Sequence, residues 1–153
     1  MFIRHIVTLL ALSLMTTSCE NLVEVANAAP RVTWVAVGAP IDGVSEITVW
    51  VYDVEGDAVD IDLRWRAAGQ TGEGTAIEQV PGGHGLVGLT THLGTFEPQG
   101  QPHLILWDVS TVSGSVELRF VPKDQQDSGQ VGVTPSFDIT AGLVDAERLT
   151  PEL

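Results

Sequence analysis

Residues 59–67 read Val59-Asp60-Ile61-Asp62-Leu63-Arg64-Trp65-Arg66-Ala67, with every odd position apolar and every even one charged. Successive side chains of an extended strand point to opposite faces, so this order places the apolar groups on one side and the charges on the other. A helix, turning about 100° per residue, would scatter the same aliphatics around its circumference. The stretch therefore predicts a strand with one dry and one wet face. The alternation recurs at residues 46–52, where Ile47, Val49 and Val51 oppose Thr48, Trp50 and Tyr52, and at residues 115–121, where Val116, Leu118 and Phe120 oppose Glu117 and Arg119. Further strands are expected at residues 32–37, 75–80, 86–91, 103–109 and 131–139, separated by turns rich in Gly, Pro and Asp. Seven or eight short strands with this punctuation predict an all-β antiparallel sandwich.

Residues 31–140 have the size of one domain, large enough to bury a core unaided. Trp65, on the apolar face of its strand, is the expected core anchor, because an indole fills the gap between two sheets; Trp107, Phe120 and Phe137 are expected to join it. In the tail, residues 141–153, Leu143, Val144, Ala146 and Leu149 have a modest helical spacing before Pro151. A helix that short is marginal without packing, so disorder or a short docked helix is expected.

The start of the chain has a different pattern. Arg4 and His5 precede an apolar run at residues 6–15, followed by Thr16, Thr17, Ser18 and Cys19. A run of about ten apolar residues falls well short of the twenty or so that span a bilayer, but it fits the core of an export signal behind a positive start. The box Thr16-Thr17-Ser18-Cys19 resembles the end of a bacterial lipoprotein signal, with Ser18 suited to its place and Thr16 standing where the family usually has Leu. The resemblance implies a signal over residues 1–18, an acylated Cys19 as the new N-terminus, and attachment to a membrane facing the periplasm or cell surface. Residues 19–30 would then form a flexible tether. The alternative is an ordinary signal-peptidase site at Ala26-Asn27-Ala28, with cleavage after Ala28 and a secreted product. Cys19 is the only cysteine, so an intramolecular disulfide framework is excluded.

Charge narrows the partners. The chain has 7 Lys and Arg against 20 Asp and Glu, a net charge of −13, and loses one further positive charge with Arg4 if the signal is removed. So acidic a body disfavours nucleic acid and anionic headgroups, and suits cations, basic proteins or simple self-repulsive solubility.

The stretches V-Y-D-V-E-G-D-A-V-D-I-D-L-R-W-R, L-W-D-V-S, V-E-L-R-F-V-P-K-D-Q-Q-D-S-G and P-S-F-D-I resemble the fibronectin type III-like and other immunoglobulin-like modules of bacterial surface proteins and lipoproteins. The resemblance covers residues 32–140. It implies fold rather than chemistry, since such modules serve as spacers, stalks and surfaces for protein or glycan contact. In immunoglobulin-like strand order, the turn at residues 53–58 and the loop at residues 122–130 lie at the same end. Asp53, Glu55, Asp57, Asp124 and Asp127 would then converge as hard oxygen ligands able to hold calcium, although Ala58 stands where an EF-hand loop needs glycine. Trp50 and Tyr52, if exposed, could stack on sugar rings. His84, His92 and His103 fall in the least regular section, without the paired short spacing of a zinc or copper site. No nucleophile elbow or phosphate-cradling loop is present.

Together these features predict a non-catalytic, lipid-anchored module of the cell envelope with a structural or binding role and no resident cofactor. The alternatives are a secreted calcium- or glycan-binding sandwich and, at greater distance, a metal-dependent enzyme using the loop histidines.

Overall fold

The computed structural model describes residues 26–91 and 100–151, and within them the period-two segments are strands. In chain order these are β1 (Arg31–Val37), β2 (Val44–Tyr52), β3 (Asp60–Ala67), β4 (Thr75–Ala76), β5 (Gln101–Asp108), β6 (Ser115–Lys123), β7 (Gly132–Val133), β8 (Phe137–Asp138), β9 (Leu143–Arg148) and β10 (Thr150–Pro151). One sheet has the order β5-β2-β1-β9; the other has the order β10-β7-β6-β3-β4, with β8 also paired to β6. All the pairings are antiparallel. The arrangement is a β-sandwich, and β5-β2-β1 facing β4-β3-β6-β7 is the immunoglobulin-like strand order. Among the described residues no helix is long and apolar enough to cross a membrane.

The two inner faces make the core. Val35, Ile47, Val49, Val51 and Ile105 come from one sheet, and Ile61, Leu63, Val116, Leu118 and Phe120 from the other. Trp107, 1% exposed, is the largest fully buried side chain. It pairs across the ladder with Ser45, whose small side chain leaves room for the indole and donates its hydroxyl to the Gly38 carbonyl at 2.7 Å. Trp65, expected as the anchor, is half-buried and packs against this core, its ring centroid 6.4 Å from that of Trp107. The reason is position: Trp65 lies near the end of β3, with β6 on one side but only the two-residue β4 on the other.

The expected strand at residues 131–139 is broken into β7 and β8. Pro135 has no N–H to give a ladder, and the buried Thr134 fills the gap. Its hydroxyl accepts the Leu118 N–H at 2.9 Å, and its own N–H donates to the Leu118 carbonyl. The expected strand at residues 75–80 shortens to β4, and the one expected at residues 86–91 does not form beyond an isolated bridge at Leu89, because the chain crosses between sheets there. The Val80 and His84 N–H groups donate to β5, while Val59 and Leu89 exchange both hydrogen bonds next to β3. This connection covers one edge of each sheet, edges that would otherwise be open to pairing with other chains.

The tail is neither disordered nor helical over residues 143–151. β9 pairs with β1 and β10 pairs with β7, so the tail joins both sheets. The decisive interaction is non-local: β1 has a free edge, and a strand satisfies its backbone groups whereas a short helix would not. Gly142, at φ 71°, makes the turn into β9; a Cβ there would lie 2.5 Å from the Val37 carbonyl oxygen. Leu149, between β9 and β10, is 9% exposed and belongs to the core. Leu149→Ala should therefore lower the unfolding free energy by about 2–5 kcal/mol, the usual range for such a truncation in a core. A change below about 0.5 kcal/mol in urea unfolding, typical of a surface position, would contradict a docked tail.

Candidate functional site

Antiparallel order places the β2–β3 turn, the β6–β7 loop and the start of β1 at one end of the sandwich. Asp53, 1% exposed at the end of β2, organises the turn. Its Oδ1 accepts the N–H groups of Glu55 at 2.9 Å and Asp57 at 3.1 Å. In the β6–β7 loop, Asp124 plays the same part, its Oδ1 accepting the N–H groups of Gln126 and Asp127. Both are aspartates closing a turn on their own backbone.

The segment before β1 joins these loops. Asn27 donates its side-chain Nδ2 to Asp124 Oδ2 at 2.9 Å and to Asp127 Oδ2 at 3.2 Å, while the Ala28 N–H donates to Glu55 Oε1 at 3.2 Å. Pro30 is buried, and a Cβ on Gly129 would lie 1.7 Å from its carbonyl oxygen, so the β6–β7 loop passes this segment with only a glycine's clearance. Residues 26–30 are therefore docked on the body and not free tether, a correction to the expectation for that part of residues 19–30. The remainder, including Cys19 and the signal over residues 1–18, lies outside the described residues.

Four of the five expected carboxylates are thus linked: Glu55 through Ala28, Asp124 and Asp127 through Asn27, and Asp53 through the Glu55 backbone. Asp57 is exposed and enters through its backbone alone, its carbonyl accepting the Thr91 hydroxyl at 2.8 Å. Burial raises the pKa of Asp124, but the Asn27 amide and the two backbone N–H groups outweigh it and hold the carboxyl below the ordinary aspartate value. Counting His, Cys, Asp and Glu alone, no three described residues are placed to hold a metal ion. Asn27 had no signal in the sequence beyond its place in a polar spacer.

Two of the three histidines meet. His84 and His103 pack edge to face with ring centroids 5.4 Å apart, beside an open cleft of about 290 Å³ that Gly88, Thr90 and Pro102 help to line. Leu104 donates its N–H to His84 Nδ1 at 3.1 Å, and His103 Nε2 lies 2.8 Å from the Thr90 carbonyl, which can only accept. In the neutral pair, His84 therefore keeps its proton on Nε2 and His103 keeps its free lone pair on Nδ1. The pair offers a metal one lone pair, short of the three or four ligands of a zinc site. Its bonds instead fasten the crossing connection to β5. His92 lies outside the described residues.

The two aromatics considered for glycan stacking are differently placed. Trp50 is half-buried on the outer face of its sheet, paired across the ladder with Trp34 and Pro102, so its indole belongs to a row and does not stand alone. Tyr52 is buried, with the Arg31 guanidinium 4.5 Å from its ring centroid. No protein-family model, curated protein or solved structure matches the chain.

The His103 environment sets a pH dependence. Burial lowers its pKa below the ordinary 6.5, the Thr90 carbonyl opposes that shift, and the neighbouring His84 adds to it. As pH falls through about 6.5, the unfolded chain takes up this proton before the native one, so stability declines from there downward until the native ring titrates as well. The urea midpoint should fall between about pH 7.5 and pH 5.5, and His103→Gln, which keeps a donor for Thr90 without a titrating ring, should flatten that slope. An unchanged slope in His103→Gln would contradict the assignment.

Proposed function

We propose that the chain is an exported, lipid-anchored module of a bacterial cell envelope, acting through structure and binding and not through catalysis. The observation that carries this reading is the docking of Asn27 and Ala28 on Glu55, Asp124 and Asp127. Cleavage after Ala28 would discard Asn27 and leave its contacts without a role in the mature protein, whereas processing at Cys19 keeps them. The apolar run of residues 6–15 and the single cysteine that follows it support the same processing.

Acylation at Cys19 orients the sandwich. Eight residues from Cys19 to Asn27 reach at most about 29 Å when fully extended, so the end carrying Asp53 and Asp124 is held near the bilayer. The turns at residues 38–43 and 109–114, at the opposite end, then face outward. Each acyl methylene buried in the bilayer contributes about 0.8 kcal/mol, so a diacylated or triacylated N-terminus would not leave the membrane on a biological timescale. The histidines support the non-catalytic part of the reading, because His84 and His103 spend a ring nitrogen each on backbone groups. Partners would be protein or glycan, and the acidic surface disfavours nucleic acid.

Mass spectrometry of the mature N-terminus tests the processing. A first residue Cys19 carrying acyl chains, with Cys19→Ser shifting the protein from the membrane to the soluble fraction, is the expected result. An unmodified N-terminus at Ala29 would refute it.

A further inference from the structure

Three polar side chains at the docked end are each fixed through one atom and bare at the other. Asp53 uses Oδ1 for two backbone N–H groups, Glu55 uses Oε1 for the Ala28 N–H, and Asn27 uses Nδ2 for Asp124 and Asp127. Their remaining oxygens, Asp53 Oδ2, Glu55 Oε2 and Asn27 Oδ1, are buried and have no hydrogen-bond partner. The orientation of Asn27 is decided by chemistry: ionised carboxylates only accept, so its NH₂ must face Asp124 and Asp127, which turns its carbonyl oxygen the other way.

Burying an acceptor without a donor costs roughly 1–3 kcal/mol, and more for a charged one. Here three occur at one end of the sandwich, two of them on carboxylates and one of those on Asp53, which is 1% exposed, a combination that suits a positive group. Among the described residues no donor reaches these three oxygens. Arg31 lies over the Tyr52 ring, and the ion pairs Arg64–Asp62, Arg64–Glu73 and Arg66–Glu117 engage none of these residues.

We propose that Asp53 Oδ2, Glu55 Oε2 and Asn27 Oδ1 bind a hard divalent cation of the calcium class, which locks residues 26–30 onto the sandwich. The donors are all oxygens, two of them anionic, as calcium prefers, and its six to eight ligands in flexible geometry can be completed by loop carbonyls and water. Magnesium requires a near-ideal octahedron and suits such a mixed set less well. The set reaches three only with Asn27, consistent with the lack, among the described residues, of a three-residue group made of His, Cys, Asp and Glu. Asp124 and Asp127 would hold the Asn27 amide and add negative potential without coordinating.

The inference rests on the proposed processing only in needing Asn27 to be retained; it does not need acylation. The N-terminal mass of the purified mature protein reports that point separately. Calcium is then titrated into the same sample, stripped with a chelator, and followed by calorimetry and thermal melting. We expect saturable binding with Kd on the order of 10⁻⁴–10⁻³ M, as in extracellular modules, and a melting temperature that rises with calcium more than with equal magnesium. Asp53→Asn and Asn27→Ala should each weaken binding by about tenfold or more, a loss of roughly 1.4 kcal/mol, while Glu78→Gln, which removes an exposed acid elsewhere, should leave it unchanged. If Asp53→Asn fails to fold, Asn27→Ala carries the same test from a partly exposed position. No binding heat and no melting shift at about 10 mM calcium, some tenfold above the weakest expected Kd, would overturn the proposal. So would equal responses to calcium and magnesium that survive in Asn27→Ala.

Discussion

Two sheets can exclude water between them only if each strand turns every second side chain inward, and this constraint organises the whole molecule. On β2 it buries Ile47, Val49 and Val51, and on β6 Val116, Leu118 and Phe120. A shift of one residue in either register would exchange the apolar set for Glu46 and Thr48 or for Glu117 and Arg119. The largest side chain, Trp107, fits because β2 offers Ser45 opposite it. Once the registers are set, the hairpins and crossings have little freedom.

The docked end follows from that topology. Antiparallel strands in this order bring the β2–β3 turn, the β6–β7 loop and the entry to β1 together, and the polar groups of all three then have to satisfy one another. Asp53 and Asp124 do so by closing their own turns, and Asn27 bridges from the chain entry. The result is a docked N-terminal segment whose direction also sets how a lipid at Cys19 would hold the body. At the other crossing, His84 and His103 each use one ring nitrogen on Leu104 and Thr90 and so fasten the connection to β5.

What was legible in the sequence was whatever depended on local alternation. Residues 59–67 declared β3 because the even charges and odd aliphatics admit no other regular structure, and the placement of Asp53 and Asp124 at one end followed once the strand order was assumed. Features set by distant partners were not legible. The tail became β9 and β10 because β1 and β7 had free edges, which no spacing within residues 141–153 reveals. Trp65 and Trp107 have equally apolar settings in sequence, and only the width of the sheet around each distinguishes core from margin. Asn27 looked like spacer because its partners lie about a hundred residues away.

The central claim is that both sheets share one dry interior and open together. Residue-resolved amide hydrogen exchange tests it most directly, because groups protected by a common core exchange through one global opening. The account predicts that Val49 and Val51 on β2, Leu63 on β3, Ile105 on β5 and Leu118 and Phe120 on β6 are the slowest amides and share one opening free energy. Two separate free energies, one for each sheet, would contradict it.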